Sequence, residues 1–200
     1  MGTGVGKIVR GDTRREIVRA ARAIFRAEGE AGLTMRRVGA AVGITAPAIY
    51  RHFAGRDELL EEVAEDGFRA ISRRMERAVT KAPPSRRLDR AFEVLIEFAL
   101  DEPRLSDLMF ASRRKAARRF PEDFRQGESP TGRVIVREVA ALMERGAWRQ
   151  DDPLEVGLVL GAQAQGFVAL RRAGRLTGGR TAFLEAWRRS YKRLKRGLEA

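Results

Sequence analysis

The sequence predicts an all-α protein. Three observations carry that prediction. Apolar residues recur three and four apart through most of the 200 residues. No segment sustains the alternating apolar and polar pattern of a strand. Pro, Gly and capping residues stand where apolar faces begin and stop, dividing the chain into about nine helices.

The first twelve residues are Gly-rich, carry Lys7 and Arg10, and are expected to form a disordered arm. Such an arm can reach a DNA minor groove or simply fray. Asp12-Thr13 with Glu16 reads as a capping box. It opens a first helix whose Ile17, Ala21, Ile24 and Phe25 share a face. Thr34 suits the N-cap of a second helix with Val38, Ala41 and Val42 on its apolar side. Gly43 follows, where a sharp turn needs positive φ. Ile44 plugs the turn and Thr45 caps a third, short helix, roughly Ala46 to Phe53. Pro47 fits its first turn. Ile49 and Phe53 point inward, leaving Ala48, Tyr50, Arg51 and His52 outside.

Helix, glycine turn and short helix make up a helix-turn-helix, which places its second helix in the major groove of DNA. An αα-hairpin with no DNA role has the same outline, so side-chain chemistry has to decide. Ala46, Pro47 and Ala48 are small enough for close approach, and Ala48 can meet a thymine methyl. Tyr50 and His52 can bond phosphates, as can Thr45 and the first-turn amides. Of Arg36 and Arg37, one can reach a guanine edge and the other a phosphate.

Residues 13–60 resemble the N-terminal domain of the TetR family of bacterial repressors. The likeness is carried by Glu16-Ile17, Ala20-Ala21, Phe25, Gly29, Thr34, Val38, Ala41, Gly43-Ile44-Thr45, Ile49-Tyr50, His52-Phe53 and Asp57-Glu58-Leu59. It implies an N-terminal three-helix DNA-binding domain (13–56), a long connecting helix, and a larger C-terminal helical effector and dimerisation domain (57–200). It also implies that Thr34, Arg36, Thr45, Ala46, Ala48, Tyr50, His52 and Arg56 face DNA. The chain departs from the family pattern at Gly55-Arg56, where Ser-Lys is common. Gly still permits a cap, and Arg keeps the charge in a planar fork.

From Arg56 a long helix runs through Leu59, Leu60, Val63, Phe68, Ile71 and Met75 toward Val79, and Pro83-Pro84 ends it. Leu88, Phe92, Leu95, Ile96 and Ala99 form the next face. Pro103 opens a helix carrying Leu105, Leu108 and Met109. This helix is expected to continue into the basic run Arg113 to Arg119, read as a solvated helix face, with a second nucleic-acid patch or an anionic-effector site as the alternatives. Residues 121–132 read as a flexible loop. Ser129-Pro130 starts a helix that Gly146 ends. Asp152-Pro153 opens an apolar helix to Arg172, and Thr181 to Leu198 follows.

These last two helices can pair with their copies in a two-fold, four-helix interface, the usual family dimer. Leu160, Leu170, Leu184, Trp187, Tyr191 and Leu194 are the candidates, unless they close the chain's own core. Ala162 to Leu176 further resembles the WHG-type subgroup, through Gly166, Leu170 and Gly174-Arg175-Leu176, with Leu108-Met109-Phe110 upstream. The resemblance implies a small-molecule effector among the C-terminal helices. By residue type and face, the candidates are Phe92, Ile96, Met109, Phe110, Phe124, Met143, Trp148, Gln163 and Phe167.

Composition narrows the function further. There is no cysteine, which removes disulfides, thiol redox chemistry and Cys-ligated zinc. A single histidine argues against a His-based metal site, and no metal or cofactor is expected. No nucleophile elbow, P-loop or dinucleotide fingerprint occurs, so an enzyme is not expected. Net charge is +13, and residues 1–57 hold 11 basic and 5 acidic side chains, or +6 of it. Such a field attracts a polyanion. No run approaches about 20 apolar residues and the leader lacks a signal core, so a cytoplasmic protein without a membrane span is expected. The expected function is a ligand-responsive repressor, a homodimer on double-stranded, palindromic DNA. The alternative is a DNA-binding dimer whose C-terminal domain takes a protein partner or no ligand.

Overall fold

A computed structural model describes residues 10–200. Its elements are α1 (Arg10–Gly32), α2 (Met35–Val42), α3 (Ala46–Ile49), α4 (Arg56–Thr80), a 3-10 turn (Pro84–Arg86), α5 (Arg87–Asp101), α6 (Pro103–Phe110), α7 (Glu122–Arg125), α8 (Pro130–Glu144), α9 (Pro153–Arg172) and α10 (Arg180–Arg196). The only β-pairing among the described residues is an isolated bridge between Trp148 and Glu199. The all-α expectation therefore stands, with ten α-helices among the described residues where about nine were expected.

Two compact units are present. The first comprises residues up to Gly67 with Asp107–Ala116, and the second Phe68–Ser106 with Ala117–Ala200. In the first unit, Ile17, Ala21 and Phe25 of α1 bury with Val38, Ile49, Phe53, Leu59 and Val63. Each such side chain taken out of water stabilises by about 1.5–3 kcal/mol. Arg14 ties α1 to α4 through Glu62 at 2.9 Å, and its guanidinium lies over the Phe53 ring at 4.5 Å. In the second unit α5, α8, α9 and α10 pack on one another. Phe92, Ile96, Val139, Leu160, Phe183 and Trp187 are buried there.

Three of the caps expected from sequence form. Thr34 accepts from Arg37 N at 3.3 Å, Ser129 from Gly132 N at 3.1 Å, and Asp152 from Leu154 N at 2.8 Å. At Gly55 the helix starts without a hydroxyl: Glu58 reaches back to accept from Ala54 N at 2.6 Å. The bond reaches one residue before the N-cap Gly55, so it resembles the returning half of a capping box displaced by one position.

Several expectations are corrected. α1 already runs from Arg10, so Asp12 and Thr13 lie inside it and do not cap it. The expected N-terminal arm falls outside the described residues as far as residue 9. α3 stops at Ile49, short of Phe53, because Arg51 N and His52 N bond the carbonyls three residues back and tighten the last turn. α6 ends at Phe110, before the basic run: both Ala111 N and Ser112 N converge on Asp107 O at 2.9 Å, and Ser112 Oγ joins them at 3.1 Å. The run is therefore not a helix face. Arg114 is buried against Glu61 at 2.7 Å, and Arg118 donates to Glu128 O at 2.6 Å. The loop expected over 121–132 contains the single turn α7. By length and composition alone, the 20-residue α9 is apolar enough to cross a membrane, as the core helix of a soluble protein can also be. It packs against α5, α8 and α10 of its own unit.

Candidate nucleic-acid interface

Two glycines set how closely α2 meets α3. Gly43 ends α2 at φ 76°, ψ 27°, and Ile44 N returns to Gly39 O at 3.0 Å. A Cβ at Gly43 would meet nothing within 4 Å, so the demand there is conformational. Gly39 is the opposite case. A Cβ there would stand 2.8 Å from Ile44 O and 3.3 Å from the Ile49 side chain. Only a hydrogen lets the turn close onto α2. Sequence reasoning passed over Gly39, although a glycine inside a helix is itself the signal of a close approach.

That closure presents an outward face. Thr45 is the N-cap of α3, but its hydroxyl makes no capping bond and is exposed. Ala46 and Ala48 are half-buried and small, so the α3 backbone is accessible beside them. Tyr50 is 55% exposed, the most exposed of the large hydrophobic side chains among the described residues. Arg51 is exposed and His52 half-buried. Tyr50 thus stands in water while Ile49 and Phe53, on the other side of the segment, are buried at 0% and 1%.

The arginines separate into free and engaged. Arg36 is exposed and makes no ion pair among the described residues. Arg37 is held by both oxygens of Glu28. The hydrogen bond from Arg37 pulls the Glu28 carboxyl below the ordinary carboxylate range, and Glu28 in turn raises Arg37. Arg56 turns back onto the chain: it donates to Leu33 O at 3.0 Å and Glu30 O at 2.6 Å, and pairs with the Glu30 carboxylate at 3.2 Å. Its charge, expected to face DNA, joins the end of α1 to the start of α4. Thr34 stays exposed while capping α2.

Residues 17–63 match the family model described as bacterial regulatory proteins, tetR family. Residues 88–194, more than half the chain, match that of the tetracyclin repressor-like C-terminal domain. The chain belongs to the TetR family. No curated protein matches it in sequence. Among solved structures, a protein of unknown function from Rhodococcus sp. RHA1 is 25% identical over 98% of this chain and 100% of that one, with a TM-score of 0.78. A TetR-family transcriptional regulator from Pectobacterium atrosepticum is 19% identical over 96% and 98%, with a TM-score of 0.73. RolR in complex with resorcinol is 16% identical over 94% and 88%, with a TM-score of 0.66.

In this TetR-family chain the C-terminal candidates part company. Phe92, Ile96, Met109, Met143 and Trp148 are buried as packing, while Phe110 and Phe124 are half-buried. Phe167 meets Trp187 edge-on at 5.7 Å. Gln163 donates to Ser190 Oγ at 2.9 Å, and its own oxygen is buried without a hydrogen-bond partner among the described residues. Of these nine only Trp148 borders either of two cavities, one of about 320 Å³ by α5 and α10 and one of about 550 Å³ by the 3-10 turn, the end of α8 and α10. Of the residues expected at a dimer interface, Leu160, Trp187 and Tyr191 are buried within the chain, and Leu184 and Leu194 are half-buried. Leu170 is exposed at 41%. It extends a row that sequence reasoning missed: Leu158, Val159, Ala162 and Gly166, all exposed on α9. Among the described residues no group of three or more His, Cys, Asp or Glu is placed to hold a metal ion.

Proposed function

We propose that this DNA-binding transcriptional regulator is a ligand-responsive repressor that binds a palindromic operator as a homodimer in the cytoplasm. The observation that carries the DNA contact is the outward row Thr45, Ala48 and Tyr50 with the unpaired Arg36 beside it. Small residues permit groove entry, Tyr50 and His52 hold phosphates, and Arg36 reads a base edge. Residues 13–56 supply this surface. The apolar row on α9 supports the dimer, since contiguous exposed apolar surface marks an association site. Two copies would set two α3 segments in successive major grooves, one helical turn apart.

Resorcinol binding by RolR, a protein of like fold, supports a small-molecule effector. An effector that prefers one spacing of the two α3 segments lowers DNA affinity by its differential affinity for the two states. Selection of bound sequences from random duplexes tests the reading. A two-fold symmetric site with half-sites one turn apart is the expected result. A folded protein that retains no duplex even in dilute buffer refutes it. A thermal shift across a metabolite panel separates an effector domain, which melts higher with its ligand, from a domain that binds only protein.

A further inference from the structure

Formal charge is not spread evenly along the chain. Residues 58–170 hold 19 basic and 20 acidic side chains, a net −1. Residues 1–57 carry +6, and residues 171–196 carry +9, from ten basic side chains against Glu185 alone. An Arg-rich composition by itself would give the long middle segment an excess too. The first cationic end contains the helix-turn-helix. The second consists of the last turn of α9, the loop after it and all of α10.

Tertiary contacts engage some of these charges and leave others. Arg180 pairs with Asp101 at 2.6 Å, Arg189 with Glu185 at 3.9 Å and Lys195 with Asp89, and Arg171 lies over the Phe183 ring at 5.1 Å. Arg188, Lys192 and Arg196 are exposed and pair with no acid among the described residues. They stand four apart in one row along α10, with about 6 Å of axial rise between neighbours. Arg189 and Arg193 are exposed on the row next to it. Like charges at this spacing repel and weaken a helix. A polyanion laid along the row would relieve that repulsion and release its own counterions.

The chemistry of the row selects among anionic partners. Phe183, Trp187 and Tyr191, the aromatic side of α10, are 1%, 2% and 6% exposed, so the helix has no aromatic face free to enter a lipid surface. Guanidinium forks, which two of the three cations carry, match phosphate oxygens in pairs. A nucleic-acid backbone offers phosphates in a regular line, and this regulator works on duplex DNA through its other cationic end. We propose that the row Arg188, Lys192 and Arg196 holds the phosphate backbone of duplex DNA without regard to sequence. It is a second DNA contact, made by residues other than those of α3, and it does not depend on how α3 is oriented.

The probe is a short duplex of random sequence, added to the full chain. With duplex in excess, acetylation of Lys192 should slow severalfold, while Lys81, exposed just past α4, reacts as before. Arg36→Ala with Tyr50→Ala removes contacts expected of the helix-turn-helix. Protection of Lys192 should survive that change, which tells failure of the α3 reading from failure of this one. In the same background, Arg188→Ala, Lys192→Ala and Arg196→Ala together should leave the helical circular dichroism intact, since all three are exposed and unpaired. They should also flatten the slope of log affinity against log salt by about 2.7 per chain, about 0.9 for each of three phosphates. Equal acetylation of Lys192 with and without duplex, equal protection of Lys81 and Lys192, or an unchanged slope overturns the contact. Protection of Lys192 by polyglutamate or by phosphatidylglycerol vesicles as strong as by duplex overturns DNA as the partner.

Discussion

Arg36, Arg37 and Arg56 share a side chain and differ in the acceptors around them. Arg36 is uncommitted, Arg37 is held by Glu28, and Arg56 by Glu30 and two carbonyls. Replacing Arg36 with Ala should therefore change which bases are preferred, read by repeating the duplex selection on the variant. Tyr50→Ala should weaken binding to all sequences alike, by about 1 kcal/mol, if it holds a phosphate. Unchanged affinity at moderate salt would reject that orientation of α3. Glu28→Gln should release Arg37 toward a duplex, raising affinity and steepening the salt dependence by about one counterion. The pair also has a definite pH sign. Glu28 is depressed by the hydrogen bond from Arg37, so its contribution is complete above the ordinary carboxylate pKa and fades as pH falls through the lowered value. An NMR titration should show the Glu28 carboxyl returning to the ordinary range in Arg37→Ala.

At the scale of elements, the α2–turn–α3 unit depends on contact at Gly39. Gly39→Ala forces a methyl against the backbone oxygen of Ile44, 2.8 Å away. Backbone cannot rotate aside as a side-chain tip can, so a loss of about 1–3 kcal/mol is expected. Denaturant melts measure it, and operator binding should fall with it as α3 is displaced. A Gly39→Ala protein of wild-type stability and affinity would show that α3 is seated differently. Helix identities were legible in the sequence because apolar spacing and caps are local signals: Thr34, Ser129 and Asp152 cap where they were placed. The end of α6 was not, because continuation through Ala111 and Ser112 looked as good by propensity as stopping. Convergence of two amides on Asp107 O decides it. Nor was it legible that Arg114 of the basic run is buried and Arg118 backbone-bound, since Glu61 and Glu128 are distant or outside any helical repeat with it.

For the whole molecule, the exposed row on α9 makes the dimer prediction specific. Leu158→Glu with Val159→Glu should convert dimers to monomers in sedimentation while leaving the helical circular dichroism intact, because both side chains are already in water in the single chain. Trp187→Ala should instead unfold the C-terminal unit, costing about 3–5 kcal/mol, since that ring is 2% exposed. From sequence alone Trp187 was a candidate for the interface, and Leu158 and Val159 were not among the candidates. Both helices repeat apolar residues at three and four, and periodicity shows that a helix has an apolar face without showing what covers it.

From the sequence by itself came the all-helical class, the family and the capped starts at Thr34, Ser129 and Asp152. All of these follow from short-range patterns that survive without knowledge of the partners. Tertiary structure alone decided which arginines remain available, why position 39 tolerates no side chain, and which apolar residues of α9 and α10 face inward. Each of those depends on a neighbour far along the chain. A charge or a methyl group has no fixed value until its acceptor or its enclosing wall has been brought up against it.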